Sequence, residues 1–345
     1  MASSLDPRGT WGVVLAGTYL TGRSLFERLR PRPLLPVAHR PIISYPLRWL
    51  AAAGVQGVTV CLNGESREVR RAVEAETGLG CPVAFIEDPT PRGTAGSARD
   101  AAVATGATQF LVADATSIPG LDPRALLDFH RGTGALVTVL VRRVAAPVVG
   151  ASAGLGPAGV YVFGRRAFDH VAVQGFQDIK ETLLTKLHAA GERVATREVD
   201  DPGPSVLRAE SYLAANERLI PRAVEGDVPE GFYRLGQALV HASARLSPRA
   251  RLVGPVIVGP GSAIEEEGTV VGPTAIGTDT EVGRSAVVSR SVLWDACAVG
   301  AGSQVDRCLV ADGGLVPEGV HLYRVLRAGP VRTRLRPAGE SGSGR

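Results

Sequence analysis

RLVGPVIVGPGSAIEEEGTVVGPTAIGTDTEVGRSAVV, residues 251–288, decides how the rest of this chain is read. Leu252, Val258, Ile264, Val270, Ile276, Val282 and Val288 recur at every sixth position, and Leu246 extends the series backwards. Gly, Pro, Ser and Thr fill most of the positions between. A period of six matches neither the 3.6 of a helix nor the 2 of an ordinary strand. It is the signature of a parallel β-helix, in which each hexapeptide forms one short flat side and sends one aliphatic side chain inward. The phase slips by one at Leu293, Val299 and Val305, and again at Val310 and Val316. An irregular β-sandwich would not hold so strict a period. The unbroken repeats predict three to four coils.

Working outward towards the N-terminus, the period changes. Up to about residue 200, short Val/Ile/Leu runs alternate with helical stretches. Strands are predicted at 13–15, 58–62, 83–86, 110–112, 136–141 and 160–163, and helices at 42–53, 66–76, 94–104, 123–131 and 179–190. Such alternation builds a mostly parallel sheet with helices on both faces, whose ligands sit at the carboxyl ends of the strands. A helix around 211–220 is expected to stop at Pro221. The predicted organisation is an α/β unit at 11–222, a linker at 223–240, a β-helix at 241–323 and a basic tail at 324–345 expected to stay disordered.

Composition narrows the function classes. The formal charge is +4, but residues 324–345 hold six Arg and one Glu, which leaves the remainder near −1. Nucleic-acid binding by the folded part therefore finds no support. No apolar stretch is long enough for a membrane span, and residues 1–7 show no signal-peptide pattern. Cys61, Cys81, Cys297 and Cys308 form no CxxC pair and sit within apolar patterns, which reads as reduced thiols in a cytoplasmic protein. Only Lys180 and Lys186 among the 38 basic residues are Lys, so an Arg in a Lys position carries little local meaning.

Four stretches carry chemistry. They are "LAG" at 15–17 with "PRPLLPVAHRPII" at 31–43; "EDPTPRGTAGSARDA" at 87–101; "FLVADA" at 110–115; and "AGVYVF" at 158–163 with "ESYLAAN" at 210–216. In this order, and followed by hexapeptides, they resemble the sugar-1-phosphate nucleotidylyltransferase family, of the mannose-1-phosphate guanylyltransferase type with a C-terminal left-handed β-helix. The resemblance runs from about Trp11 to Leu322. It implies a Rossmann-like nucleotidyltransferase domain that condenses a nucleoside triphosphate with a sugar-1-phosphate, releasing pyrophosphate with the help of Mg²⁺. Carried over position by position, it puts nucleotide contacts at Leu15, Ala16, Gly17, Gly93, Thr94 and Ala95. Arg32 then stands in the place of the catalytic lysine, and Asp114 is a metal ligand.

Several positions depart from that pattern. The phosphate loop should read Leu-Ala-Gly-Gly-x-Gly-Thr-Arg, but Thr18 and Leu20 replace glycines and Gly22 replaces the arginine, with Arg23 one place late. Only glycine lets backbone amides close on phosphate without an intervening Cβ. The second metal carboxylate falls on Ser205, with Asp200 and Asp201 offset by several residues. The 16 or so residues between Val141 and Gly159 contain neither Lys nor Glu, where the family carries a lysine for the sugar phosphate. Asp178 followed by Glu181 reads as a helix capping box rather than a site. The six His show no metal spacing.

Two functions follow. One is a divergent member with lost or weak catalysis that binds nucleotide or NDP-sugar, or serves as a regulatory or assembly partner, with a homo-oligomer or a paralogous nucleotidyltransferase joined through the β-helix. The other is an active, atypical nucleotidylyltransferase that uses Arg23, Arg32 and Arg92 at the phosphates. A third, acyl transfer by the hexapeptide domain, is disfavoured because the repeats from Leu246 to Val316 contain no His to act as base.

Overall fold

The computed structural model describes residues 9–17, 25–63, 66–88, 90–144, 154–199, 201, 203–204, 206 and 208–329. The chain divides into two compact units, residues 1–215 and 216–345.

The first unit is built on a seven-stranded sheet. Its strands are β1 (Thr10–Leu15), β2 (Val58–Asn63), β3 (Val83–Asp88), β4 (Gln109–Asp114), β5 (Val137–Val144), β6 (Gly154–Gly164) and β7 (Val194–Glu198), in the order β3-β2-β1-β4-β6-β5-β7. Every pairing is parallel except those of β6, which runs antiparallel to both β4 and β5. Alternate residues feed opposite faces, as the strand period requires. Val14 and Leu111 join one core with Leu47, Leu50 and Leu126 from helices α1 (Ser44–Ala52) and α4 (Pro123–Thr133). Val13, Phe110 and Val112 join the other, beneath Ala95, Ala98, Ala101 and Ala102 of α3 (Gly93–Val103). Both faces are covered, which explains why β1 and β4 read as continuous apolar runs. Local signals agree with the boundaries. Asp122 accepts the Arg124 N–H at the start of α4, with Pro123 in its first turn, and Gly134 closes it in a left-handed conformation. Helix α2 (Arg67–Glu74) lies between β2 and β3 in sequence.

The structure differs from the sequence reading in three elements. Strand β6 is longer than the predicted 160–163, because Gly154, Gly156 and Pro157 hid its first half. The helix expected over 179–190 opens with a π-type turn, Ile179–Leu183, before α5 (Leu184–Ala189). Helix α6 (Ala209–Glu225) runs through Pro221 instead of stopping there, with Ile220 and Val224 both buried to hold the last turn in place. No helix among the described residues is long and apolar enough to cross a membrane.

The second unit is a left-handed parallel β-helix whose short strands stack into three sheets. Two of these contain five strands each, so there are five coils rather than three to four. The interior is the predicted column: Val258, Ile264, Val270, Ile276, Val282, Val288, Leu293, Val299, Val305, Val310 and Val316 are all buried in one core, with Leu246, Leu252 and Leu322 packed against it. Within 223–240, Phe232–Leu235 forms an antiparallel hairpin with Ala238–His241, which pairs onward with Val256–Val258 as the first rung.

Register explains the phase slips. Thr269 pairs with Val287, eighteen residues on, but Val287 pairs with Gln304 and Gln304 with His321, each seventeen on. The residue is lost at one corner. Val271 to Ala275 spans the turn between two sheets in the early coils, whereas Ser289 to Val292 spans the same turn afterwards. Both slips are therefore one structural change, repeated once per coil.

Candidate functional site

Strands β1 and β4 pair so that Leu15 lies opposite Asp114. The turns that leave their carboxyl ends border a cleft of about 250 Å³. Its lining brings together Leu15, Ala16, Gly17, Arg32, Gly93, Thr94 and Asp114, contributed by four separate stretches of sequence. Ala95 is the exception among the expected residues. Its side chain is fully buried in the core beneath α3.

Gly93 has a left-handed φ of +75°, and a Cβ there would stand 2.4 Å from the Gln177 carbonyl oxygen, so glycine is required on both counts. That carbonyl accepts from the amides of Ala95 (2.9 Å) and Gly96 (3.3 Å). Thr94 Oγ1 donates to Asp178 Oδ2 and accepts the Ile179 N–H. Residues 177–179 thus pack on the first turn of α3 and take up the amides of Ala95 and Gly96 and the hydroxyl of Thr94. Asp178 also caps its own helix, accepting from the amides of Lys180 and Glu181, but its own amide donates to Thr182 Oγ1 rather than to Glu181, so only the Asp178 half of the predicted capping box forms. Arg92 is similarly committed, donating to the carbonyls of Val173 and Ala172 and pairing with Asp100 at 3.3 Å.

Asp114 ends β4 and turns back on its own chain. Its Oδ1 accepts from the Thr116 amide (3.1 Å) and hydroxyl (3.0 Å), which holds the carboxylate in a fixed orientation at the mouth of the cleft. Among the described residues no three His, Cys, Asp or Glu side chains come together as a metal cage. Asp201 spends Oδ1 on the Gly203 amide. Among the described residues Asp114 is the one expected metal ligand, and it reaches the cleft; a single carboxylate holds Mg²⁺ only together with oxygens of a bound phosphate and water. Thr18, Leu20, Gly22, Arg23, Asp200 and Ser205 lie outside the described residues.

Other lining residues were not singled out in the sequence. Asp88 ends β3, and its Oδ2 is buried without a hydrogen-bond partner among the described residues. Burial and then Asp100 raise its pKa, against the opposing pull of Arg92 and a Ser97 hydrogen bond. The thiol of Cys61, on β2, is pushed up to about 12, chiefly by burial, which keeps it protonated at neutral pH. Asn63 and Phe176 complete the rim, and the Phe176 ring is 58% exposed. Asp88 sits beside a recognisable motif and could have been picked out. Phe176 gives no sequence signal.

With this geometry in place, comparison with known proteins is informative. Residues 13–148 match the model of the Nucleotidyl transferase family. The chain is 26% identical to a mannose-1-phosphate guanylyltransferase of Mycobacterium tuberculosis, over 86% of this chain and 82% of that protein. It is 25% identical to a glucose-1-phosphate thymidylyltransferase of Streptomyces antibioticus, over 90% and 94% respectively. It is 23% identical to a probable mannose-1-phosphate guanylyltransferase 2 of Arabidopsis thaliana, over 85% and 88%. Residues 13–148 of the first unit thus match a nucleotidyl transferase domain, and over most of its length the chain is similar, at low identity, to sugar-1-phosphate nucleotidylyltransferases.

Proposed function

We propose that this protein keeps a nucleotide or NDP-sugar cleft on the nucleotidyltransferase scaffold and has lost most or all turnover, serving as a regulatory or assembly partner. The observation that carries this reading is the donor set at Asp114. Among the described residues one expected carboxylate, already accepting from Thr116, stands where the related chemistry calls for a held metal, and the position expected for the second is Ser205 in the sequence. The loop sequence supports the same conclusion, since Thr18, Leu20 and Gly22 take away backbone approach and the arginine clamp.

The competing reading, an active enzyme using Arg23, Arg32 and Arg92 at the phosphates, is favoured by Arg32, which lines the cleft. Arg92 weakens it, being tied to Asp100 and two carbonyls. A thermal-shift screen with nucleoside triphosphates and NDP-sugars, run beside a pyrophosphate-release assay, separates the two. A ligand that binds only the folded state raises the melting temperature by mass action. Stabilisation with pyrophosphate release at background supports the proposal, and sustained Mg²⁺-dependent release rejects it.

A further inference from the structure

A second cleft, of about 180 Å³, adjoins the first and shares Asp114 and Thr116 with it. Glycine backbone builds it. Gly159, with φ +80°, lies where a Cβ would stand 3.2 Å from the Asp114 Cβ, so β6 closes directly on the Asp114 turn. Gly203, with φ +82°, is pressed against the Ile118 carbonyl, where a Cβ would stand only 1.6 Å from the oxygen. No side chain other than hydrogen fits at Gly203, and at Gly159 the left-handed φ and the close Asp114 Cβ both favour glycine.

The charged residues lining this cleft are Asp114, Arg142 and Lys180, an excess of one positive charge. Arg142, on β5, is half-buried, and its Nε is shielded from solvent without a hydrogen-bond partner among the described residues. A buried donor of this kind is a cost to the fold unless something accepts from it. Neighbouring cations are accounted for: Arg143 pairs with Glu198 at 2.8 Å, and Lys186 donates to Gln177 at 2.8 Å. Arg142 and Lys180 have no such side-chain partner among the described residues. Two cations beside one carboxylate repel a divalent ion and attract an anion.

We propose that Arg142 and Lys180 hold the phosphate oxygens of a nucleoside diphosphate or its sugar ester in this second cleft, without a divalent ion. The proposal rests on the nucleotide-site reading given above. The shared wall at Asp114 lets one ligand place its nucleoside in the first cleft and its phosphates in the second. The fork of Arg142 suits two oxygens of one phosphate, and the ammonium of Lys180 adds a point charge.

The test is titration calorimetry of the full chain with inorganic pyrophosphate and with a panel of GDP, UDP, ADP and dTDP, each in EDTA and in MgCl₂. Pyrophosphate and at least one nucleotide should bind in EDTA within about twofold of the MgCl₂ affinity. Arg142→Gln with Lys180→Gln should weaken both by about tenfold or more, while Lys180→Arg keeps most of the affinity. Lys180→Gln alone, on an exposed side chain, should give a smaller loss and serves if the Arg142 variant fails to fold. Binding that needs MgCl₂, pyrophosphate that does not bind, or a double variant that binds like the parent overturns the proposal. Nucleotide bound in MgCl₂ alone overturns the metal-free site and leaves the nucleotide-binding reading intact. No nucleotide bound in either condition overturns both.

Discussion

At the scale of single residues, the site depends on backbone approaches that only certain side chains allow. Gly93→Ala would force a Cβ into the Gln177 carbonyl at a left-handed φ. Strain of that kind costs on the order of 1–3 kcal/mol before the clash is counted. The variant should melt several degrees lower and lose the nucleotide-induced shift, which differential scanning fluorimetry would register; an unchanged melt would refute the packing described for residues 177–179. His130 is a second case. It is buried on α4, with Nδ1 2.8 Å from Thr138 Oγ1. Burial first, and Arg131 second, depress its pKa below 6.5. The folded state therefore resists protonation: the stabilisation is complete above 6.5 and is lost as pH falls from there through the folded pKa. Urea midpoints should drop with acidification below 6.5 in the parent and drop less in His130→Gln; parallel pH profiles would remove His130 from the account. Residues 15–17, 93 and 114 could be placed from the sequence because each ends a strand or begins a helix beside a recognisable motif. Arg142, Lys180 and Phe176 could not. An Arg in a strand or a Phe in a loop looks the same whether or not folding brings it to a cleft.

At the scale of elements, the β-helix was legible because its core is one-dimensional: one inward aliphatic per six residues writes the fold directly into the period. The coil count was not, because the first rung comes from a non-repeating hairpin and the last coils lie beyond the phase slip. Corner chemistry was also hidden. Left-handed residues stack in columns, Gly261, Asp279, Ala296 and Gly313 at one corner and Glu267, Ser285, Gly302 and Gly319 at another. Beside them runs an internal ladder, in which the Thr280 amide donates to Ser262 Oγ and the Cys297 amide donates to Thr280 Oγ1. Ala296, at φ +55°, has neither the conformational freedom of glycine nor a polar side chain to compensate. A non-glycine residue in this conformation costs roughly 1–2 kcal/mol, and glycine returns about half of that as unfolded-chain entropy. Ala296→Gly should therefore stabilise the β-helix by about 0.5–1 kcal/mol, measured by chemical denaturation. A destabilised variant would contradict the column argument.

At the scale of the whole molecule, the sheet, the α3 turn and Asp114 assemble one cleft, and the proposed loss of turnover rests on the loop sequence at 18–22 and on the donor set around Asp114. Charge developing on a transferred phosphate must meet preorganised donors, and removing one such donor commonly costs about 10²–10³ in rate. Several missing together should hold pyrophosphate release from a triphosphate and any common sugar-1-phosphate at background. The converse is the stronger test. Thr18→Gly with Leu20→Gly would reopen backbone approach, Gly22→Arg would return the clamp, and Ser205→Asp would add a second carboxylate. The combined variant should show Mg²⁺-dependent release above the parent but remain slow, because the segment between Val141 and Gly159 still offers no lysine to the sugar phosphate. A coupled phosphate-release assay reads both proteins side by side. If the unmodified chain turns over as fast as the restored one, the missing donors were never limiting, and Arg23, Arg32 and Arg92 become the groups to mutate next.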